Sequence, residues 1–165
     1  EKSIIKILEI KYYKLAKYFL ANAFIFGKFW ESDFFILNKN GYCVEFEIKI
    51  SKADFKNDKK KITKHLLLEN KSTLSRNSKK HEYIPNKFFY VVPENLITVN
   101  EIPDYAGLIY VKNNQLKTIK EAPFIHKQKL NIEKVLCNKF YWYWLTEKQK
   151  VIELERKLVN KNIKK

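Results

Sequence analysis

Only two cysteines, Cys43 and Cys137, occur in this 165-residue chain, far apart and with no C-x-x-C partner or paired histidines nearby. Neither a zinc site nor a disulfide framework is supported, and two buried, reduced thiols are expected. No apolar run approaches the roughly 18 to 20 residues that cross a bilayer. The opening stretch EKSIIKILEIKYYKL mixes charges among its apolar residues as the core of a signal peptide does not. A soluble, intracellular, cytoplasmic protein is the expectation. The first residue is Glu1 rather than Met, as it would be if a short N-terminal piece had been removed. Acidic residues are few, 18 against 33 basic ones, which leaves a net charge of +15. Such a charge points to a polyanionic partner, nucleic acid first. Arginine is scarce as well: Arg76 and Arg156 are the only two, so the charge is lysine. A lysine-rich composition that reflects coding bias and serves only solubility is the competing reading. There is no internal repeat and no recognition-helix or zinc-finger pattern that would confer sequence specificity.

What the chain has is apolar material, 45% hydrophobic and 15% aromatic residues, enough to bury a core in one domain spanning residues 1–165. Ile4, Ile5, Leu8, Tyr12, Leu15, Ala16 and Phe19 recur at spacings of three and four, predicting an amphipathic helix over residues 3–22. A β-rich stretch, Asp33–Leu37, leads to Asn40-Gly41, a hairpin turn signal, and Tyr42–Ile50 then alternates with a period of two. Ser51 followed by Asp54 opens a second helix, continued by a basic run to about Glu69. Residues 70–85, with Arg76, Lys79, Lys80 and His81, read as an exposed basic loop, either a DNA contact or a linker. KFFYVV (residues 87–92) and GLIYV (residues 107–111) are buried strands, Asn113-Asn114 turns the chain into a short strand at residues 115–119, and residues 129–162 form a final helix. The class is α/β, a mixed central sheet flanked by helices. One edge of that sheet is expected to carry the charged strand face.

That face belongs to EFEIK, residues 45–49, where Glu45, Glu47 and Lys49 alternate with Val44, Phe46 and Ile48. If Lys39, Asn40 and Gly41 form a three-residue loop, Asp33 stands opposite Glu47 and Glu31 opposite Lys49. Opposed residues project to one face with Cβ atoms roughly 4.5 to 5.5 Å apart. A two-residue turn would shift the register by one and destroy the facing. Two carboxylates this close repel unless a cation neutralises them, and oxygen-only ligation suits Mg²⁺ or Mn²⁺. Lys49, on the same face, would then orient a water or offset charge on a pentacovalent phosphate. A solvated strand face with ordinary ion pairs is the alternative.

Asp33, then Glu47-Ile48-Lys49 after a hairpin, resembles the PD-(D/E)XK nuclease signature, with Ser32 where that signature has proline. The blocks EIKISKADFKNDKKK, IPNKFFYVVPENLI, EIPDYAGLIYV and EAPFIHKQKL are similar to successive blocks of the MmcB-like DNA-repair and phage-encoded branch of that superfamily, over about residues 30–130. The resemblance implies a restriction-endonuclease-like αβββαβ core, a bacterial or phage-encoded source and a Mg²⁺- or Mn²⁺-dependent endonuclease acting on DNA in repair, recombination or phage DNA processing. It implies Asp33 and Glu47 as metal ligands with the main-chain carbonyl of Ile48, Lys49 as the catalytic lysine, Glu45 as a secondary or supporting acid, and Glu9 as an extra ligand or a plain surface glutamate. A homodimer is compatible with it. A non-catalytic DNA-binding module that retains the fold is the alternative.

Lys52, Lys59, Lys61, Arg76, Lys79 and Lys80 are the candidate DNA contacts, set against the ordinary reading of solvated lysines. Asp54 is read as a helix cap or a motif position, with capping favoured. His126 is read as structural. Trp142 and Trp144 are read as core residues or base-stacking platforms, with core favoured.

Overall fold

A computed structural model of the chain describes residues 1–26, 30–69 and 84–163. These fall into two compact units, Glu1–Leu130 and Asn131–Lys165. The first unit is a six-stranded mixed sheet with helices on both faces. Its elements run α1 (Lys2–Tyr12), β1 (Ala16–Ala23), β2 (Ser32–Asn38), β3 (Cys43–Ile48), α2 (Lys52–Asp58), α3 (Ile62–Leu68), β4 (Lys87–Pro93), β5 (Ala106–Lys112) and β6 (Gln115–Lys120). In space the strands keep their chain order from β1 to β6. The β1–β2, β2–β3 and β5–β6 pairs are antiparallel, while β3–β4 and β4–β5 are parallel. Helices α2 and α3 together make the crossover that a parallel β3–β4 pair requires.

The helix expected over residues 3–22 ends at Tyr12, and its second half is β1. Only Ile4, Ile5 and Leu8 bury a helical face; Leu15, counted into the apolar stripe, is exposed. Residues 16–23 instead find a partner in β2, with Phe19 opposite Ile36 and Leu20 opposite Phe35. Phe19 stacks on Phe34 at 5.8 Å between ring centres. Sheet pairing and aromatic packing here outweigh a helical spacing that is only apparent.

The β2–β3 hairpin has the expected register. The Asn38 N–H donates to the Tyr42 carbonyl at 2.8 Å and the Gly41 N–H to the Asn38 carbonyl at 2.9 Å, closing a loop of Lys39, Asn40 and Gly41. Gly41 takes φ +85°, which glycine adopts without strain. Phe34 pairs with Phe46, Phe35 with Glu45 and Ile36 with Val44, so Asp33 falls opposite Glu47.

Strand β3 is the third of six, not an edge, and all six of its residues are buried. The charged face is thus interior, which corrects the expectation of a charged sheet edge. The helix expected from Ser51 to Glu69 is broken. Ser51 caps α2 by accepting the Asp54 N–H at 3.1 Å, and the Asp54 carboxylate accepts the Ile50 N–H at 3.4 Å, as a capping residue does. The chain then turns at residues 59–61, where the N–H groups of Lys60 and Lys61 bond the carbonyls of Asn57 and Asp58. That turn lets α3 return across the sheet face that α2 already covers.

Two apolar layers result. Ile4, Ile5 and Leu8 of α1 join Phe34, Phe46, Ile48, Phe89 and Val91 on one face. Phe55 of α2 and Leu68 of α3 join Phe88, Tyr90, Val92 and Leu108 on the other. Asn86 ties the ends together: its side chain accepts the Cys43 N–H at 2.7 Å and donates to the carbonyls of His126 and Gln128 at 3.0 and 2.8 Å. His126 is buried here, its Nε2 3.2 Å from the Ile84 carbonyl, a structural place as expected.

The second unit contains α4 (Glu133–Ile163). Trp142 and Trp144 are exposed on it, contrary to the core reading, because five consecutive aromatics point around the whole helix and cannot share one face. Cys137 is likewise exposed, whereas Cys43 is buried as expected. No helix among the described residues is long and apolar enough to cross a membrane.

Gly107 marks a close approach within the sheet. A Cβ there would run into the Phe89 ring and come within 2.7 Å of the Ala122 backbone nitrogen. Gly107→Ala is expected to destabilise the protein by about 2 kcal/mol or more, read as a lower urea midpoint at an unchanged denaturant slope.

Candidate active site

Alternation along β3 sends Val44, Phe46 and Ile48 to the α1 side, and Glu45, Glu47 and the following Lys49 to the α2–α3 side. Regular β2–β3 pairing stops at Phe34 and Phe46. Beyond it, the Asp33 carboxylate takes over from the backbone: its Oδ2 accepts the Ile48 N–H at 2.7 Å. Asp33 is thereby fixed against the peptide that follows Glu47.

Glu47 is fully buried, and both its oxygens meet ammonium groups. Oε1 accepts from Lys49 at 2.8 Å and from Lys61 at 3.2 Å, and Oε2 accepts from Lys64 at 2.6 Å. Asp58, the last residue of α2, is buried beside them. Its Oδ1 lies 3.2 Å from Lys61, 3.5 Å from Lys64 and 3.6 Å from Lys49. Its Oδ2 accepts the Tyr90 hydroxyl at 2.8 Å and lies 3.4 Å from His65 Nε2. His65 in turn bonds Tyr105 through Nδ1. Lys64 also sits 4.8 Å above the Phe88 ring, so its stem fills apolar space while its charge is met on both sides. Such a cluster is tolerated in the interior only because each charge is paired.

The environment divides the acids. Burial and the nearby Glu47 charge push Asp33 up to about 6, against the pull of the Ile48 N–H and Lys49. Burial pushes Glu45 up to about 8, although Lys64 and the Trp30 N–H act the other way. Glu45 Oε1 accepts from Trp30 at 2.7 Å, and the buried Ser32 hydroxyl interacts with the same carboxyl. Asp58 is held well below the carboxylate range despite burial, by His65 and Lys64. The Lys49 ammonium is held above its ordinary range, burial being outweighed by Glu47, Asp58 and Asp33.

Asp33, Glu47 and Lys49 are thus brought together, and Lys61 joins them with its side chain half exposed. Glu45 lies on the same face but is engaged with Trp30. Glu9 is not brought among them, since α1 covers the opposite face of the sheet. Lys52 and Lys59 are exposed on and just after α2, and Lys59 rests 5.1 Å over the Phe55 ring. Arg76, Lys79 and Lys80 lie outside the described residues, as does most of the 70–85 loop. Asp58, Lys64, His65 and Tyr90 are the members that sequence reasoning missed. A signal existed: Lys64 lies three and four residues before Leu67 and Leu68, on the core-facing side of α3, where a solvated lysine has no place.

Among the described residues, no group of three or more His, Cys, Asp or Glu side chains is placed to hold a metal ion. A cation here would need the facing pair Asp33 and Glu47 together with main-chain oxygen.

No family model matches the chain, and no curated protein matches it. Among solved structures it is similar to the SPO1766 protein of unknown function from Silicibacter pomeroyi, with a TM-score of 0.52 and 21% identity over 83% of this chain and 80% of that one. At that identity the likeness shows the fold alone.

Because Glu45 has its pKa raised from 4.5 to about 8, folding favours its neutral form, and its contribution to stability is lost as pH rises across that interval. Glu45→Gln cannot ionise. Its stability is expected to gain on that of the native protein between those two values and to stay level above them, as followed by urea midpoints across pH.

Proposed function

We propose that the chain is a Mg²⁺- or Mn²⁺-dependent DNA endonuclease of the PD-(D/E)XK type. The observation that carries the reading is the convergence of Asp33, Glu47 and Lys49 at the end of one hairpin, with the Asp33 carboxylate fixed on the Ile48 peptide. The element order α1-β1-β2-β3-α2/α3-β4 supports it, since it is the αβββαβ order the resemblance implies. So does the net charge of +15, which favours a polyphosphate substrate.

The donors fit a hard cation in kind. Asp33 and Glu47 offer only oxygen, burial and then their proximity raise Asp33, and a cation between them relieves the repulsion. Asp33, Glu47 and the Ile48 carbonyl would hold it. When bound, Mg²⁺ supplies polarisation of the phosphodiester and a more acidic water. Lys49, charged and fixed between Glu47 and Asp58, orients a water and offsets negative charge growing on phosphorus. Asp58, oriented by Tyr90, is the second carboxylate that offsets the charges Lys49 and Lys64 bring to Glu47. Lys61, half exposed, is the ammonium free to leave Glu47 for a phosphate. Lys52 and Lys59 extend the positive surface along α2.

One observation favours a second reading, a DNA-binding module that kept the fold without catalysis. Both Glu47 oxygens are already met by lysines, so the cluster is balanced without a cation.

Plasmid or branched DNA is expected to be cut by the native protein with Mg²⁺, and cutting by Lys49→Ala is expected to fall by about 100-fold or more at unchanged DNA affinity. Equal binding with no cutting by the native protein would support the second reading. DNA affinity is expected to fall steeply between about 50 and 200 mM salt, and flat binding would argue against nucleic acid altogether.

A proton and a metal ion compete for Asp33. Mn²⁺ affinity, measured by calorimetry, is therefore expected to rise with pH up to about 6 and to level off above it, and Asp33→Asn is expected to lose both the affinity and the pH dependence.

A further inference from the structure

Between Glu147 and Lys157, Arg156 aside, helix α4 carries two kinds of charged residue. Those on one side are paired within the helix: Lys150 with Glu147 and Lys157 with Glu153, each at 2.7 Å. Lys148 and Glu155 lie on the other side, inside the apolar stripe formed by Tyr141, Trp144, Val151, Ile152, Leu158 and Val159. Among the described residues no ion pair engages either of them, although Lys148 lies 5.0 Å over the Trp144 ring. Seven residues apart, they stand about 10 Å from each other along the axis, too far to pair. The stripe itself is open, with Trp144 55%, Val151 53% and Leu158 62% exposed.

The stripe is symmetric in a way that specifies its occupant. Apolar residues flank Lys148 on the N-terminal side and Glu155 on the C-terminal side, and Val151 and Ile152 lie midway between the two charges. A second α4 laid parallel and in register would set Lys148 against Lys148 and Glu155 against Glu155. Laid antiparallel about a two-fold axis near Val151 and Ile152, it sets each Lys148 beside the other copy's Glu155 and closes apolar side chains over both pairs. Charged positions inside an apolar seam fix orientation and register in this manner. We propose that α4 is a self-association surface, pairing antiparallel with α4 of a second copy of this chain through two Lys148–Glu155 contacts. The proposal is independent of the reading of the active site.

Sedimentation equilibrium and light scattering on the full chain at micromolar concentration test it. The expected result is a particle of twice the 19.9 kDa chain mass. Lys148→Glu and Glu155→Lys are each expected to raise the dimer dissociation constant by about tenfold or more, and the double variant K148E/E155K to restore it to within about threefold. Far-ultraviolet circular dichroism of each variant confirms that α4 is still helical. A monomer at about 100 µM, a dimer indifferent to the single reversals, or a double variant as weak as the singles would overturn the proposal. So would a monomer whose α4 binds vesicles of anionic lipid.

Discussion

The structure turns on a buried carboxylate. Glu47 sits in the middle of a six-stranded sheet with no solvent contact, and only the ammonium groups of Lys49, Lys61 and Lys64 make that position tenable. None of the three reaches it by accident. Lys49 follows directly on β3, Lys61 comes from the turn after α2 and Lys64 from α3, so the break between those helices brings two of the three ammonium groups to Glu47. Asp58 closes the set from the last position of α2, anchored by the Tyr90 hydroxyl from the next strand. Removing one member leaves an opposite charge inside without its partner, a far larger loss than any surface ion pair represents.

Strand β3 therefore has two unlike halves. Its Val44, Phe46 and Ile48 side chains are ordinary core, packed under α1 with Phe34 and Phe89. Its other side builds a polar interior that a protein of this size has no stability reason to keep, since a well-packed apolar face would hold the sheet at least as well. The raised pKa of Asp33 and the neutral tendency of Glu45 describe a region that is electrostatically strained rather than optimised for stability. Strain of this kind is characteristic of places where charge has work to do.

Much of this was legible in the sequence. Asn40-Gly41 set the hairpin and its register, because only a three-residue loop ending in a left-handed glycine brings Asp33 opposite Glu47. KFFYVV and GLIYV read as buried strands for want of any polar alternation. What was not legible depended on contacts distant in sequence. Residues 16–23 mimic a helical stripe, and only pairing with β2 reveals them as a strand; the resemblance to an αβββαβ core already implied that third strand. Lys64 and Asp58 look like members of a basic helix until the turn at residues 59–61 folds one helix over the other. Glu45 looked like a partner of Glu47 and is instead held by Trp30, a residue 15 positions away with no pattern to announce it.

The central claim is that Asp33 and Glu47 form one cation site beside Lys49. Crystals soaked in Mn²⁺ test it directly through anomalous scattering. The account predicts a peak between the two carboxylates, within reach of the Ile48 carbonyl, with Lys61 withdrawn from Glu47. No peak at a high Mn²⁺ concentration, with all three lysines still on Glu47, would contradict it.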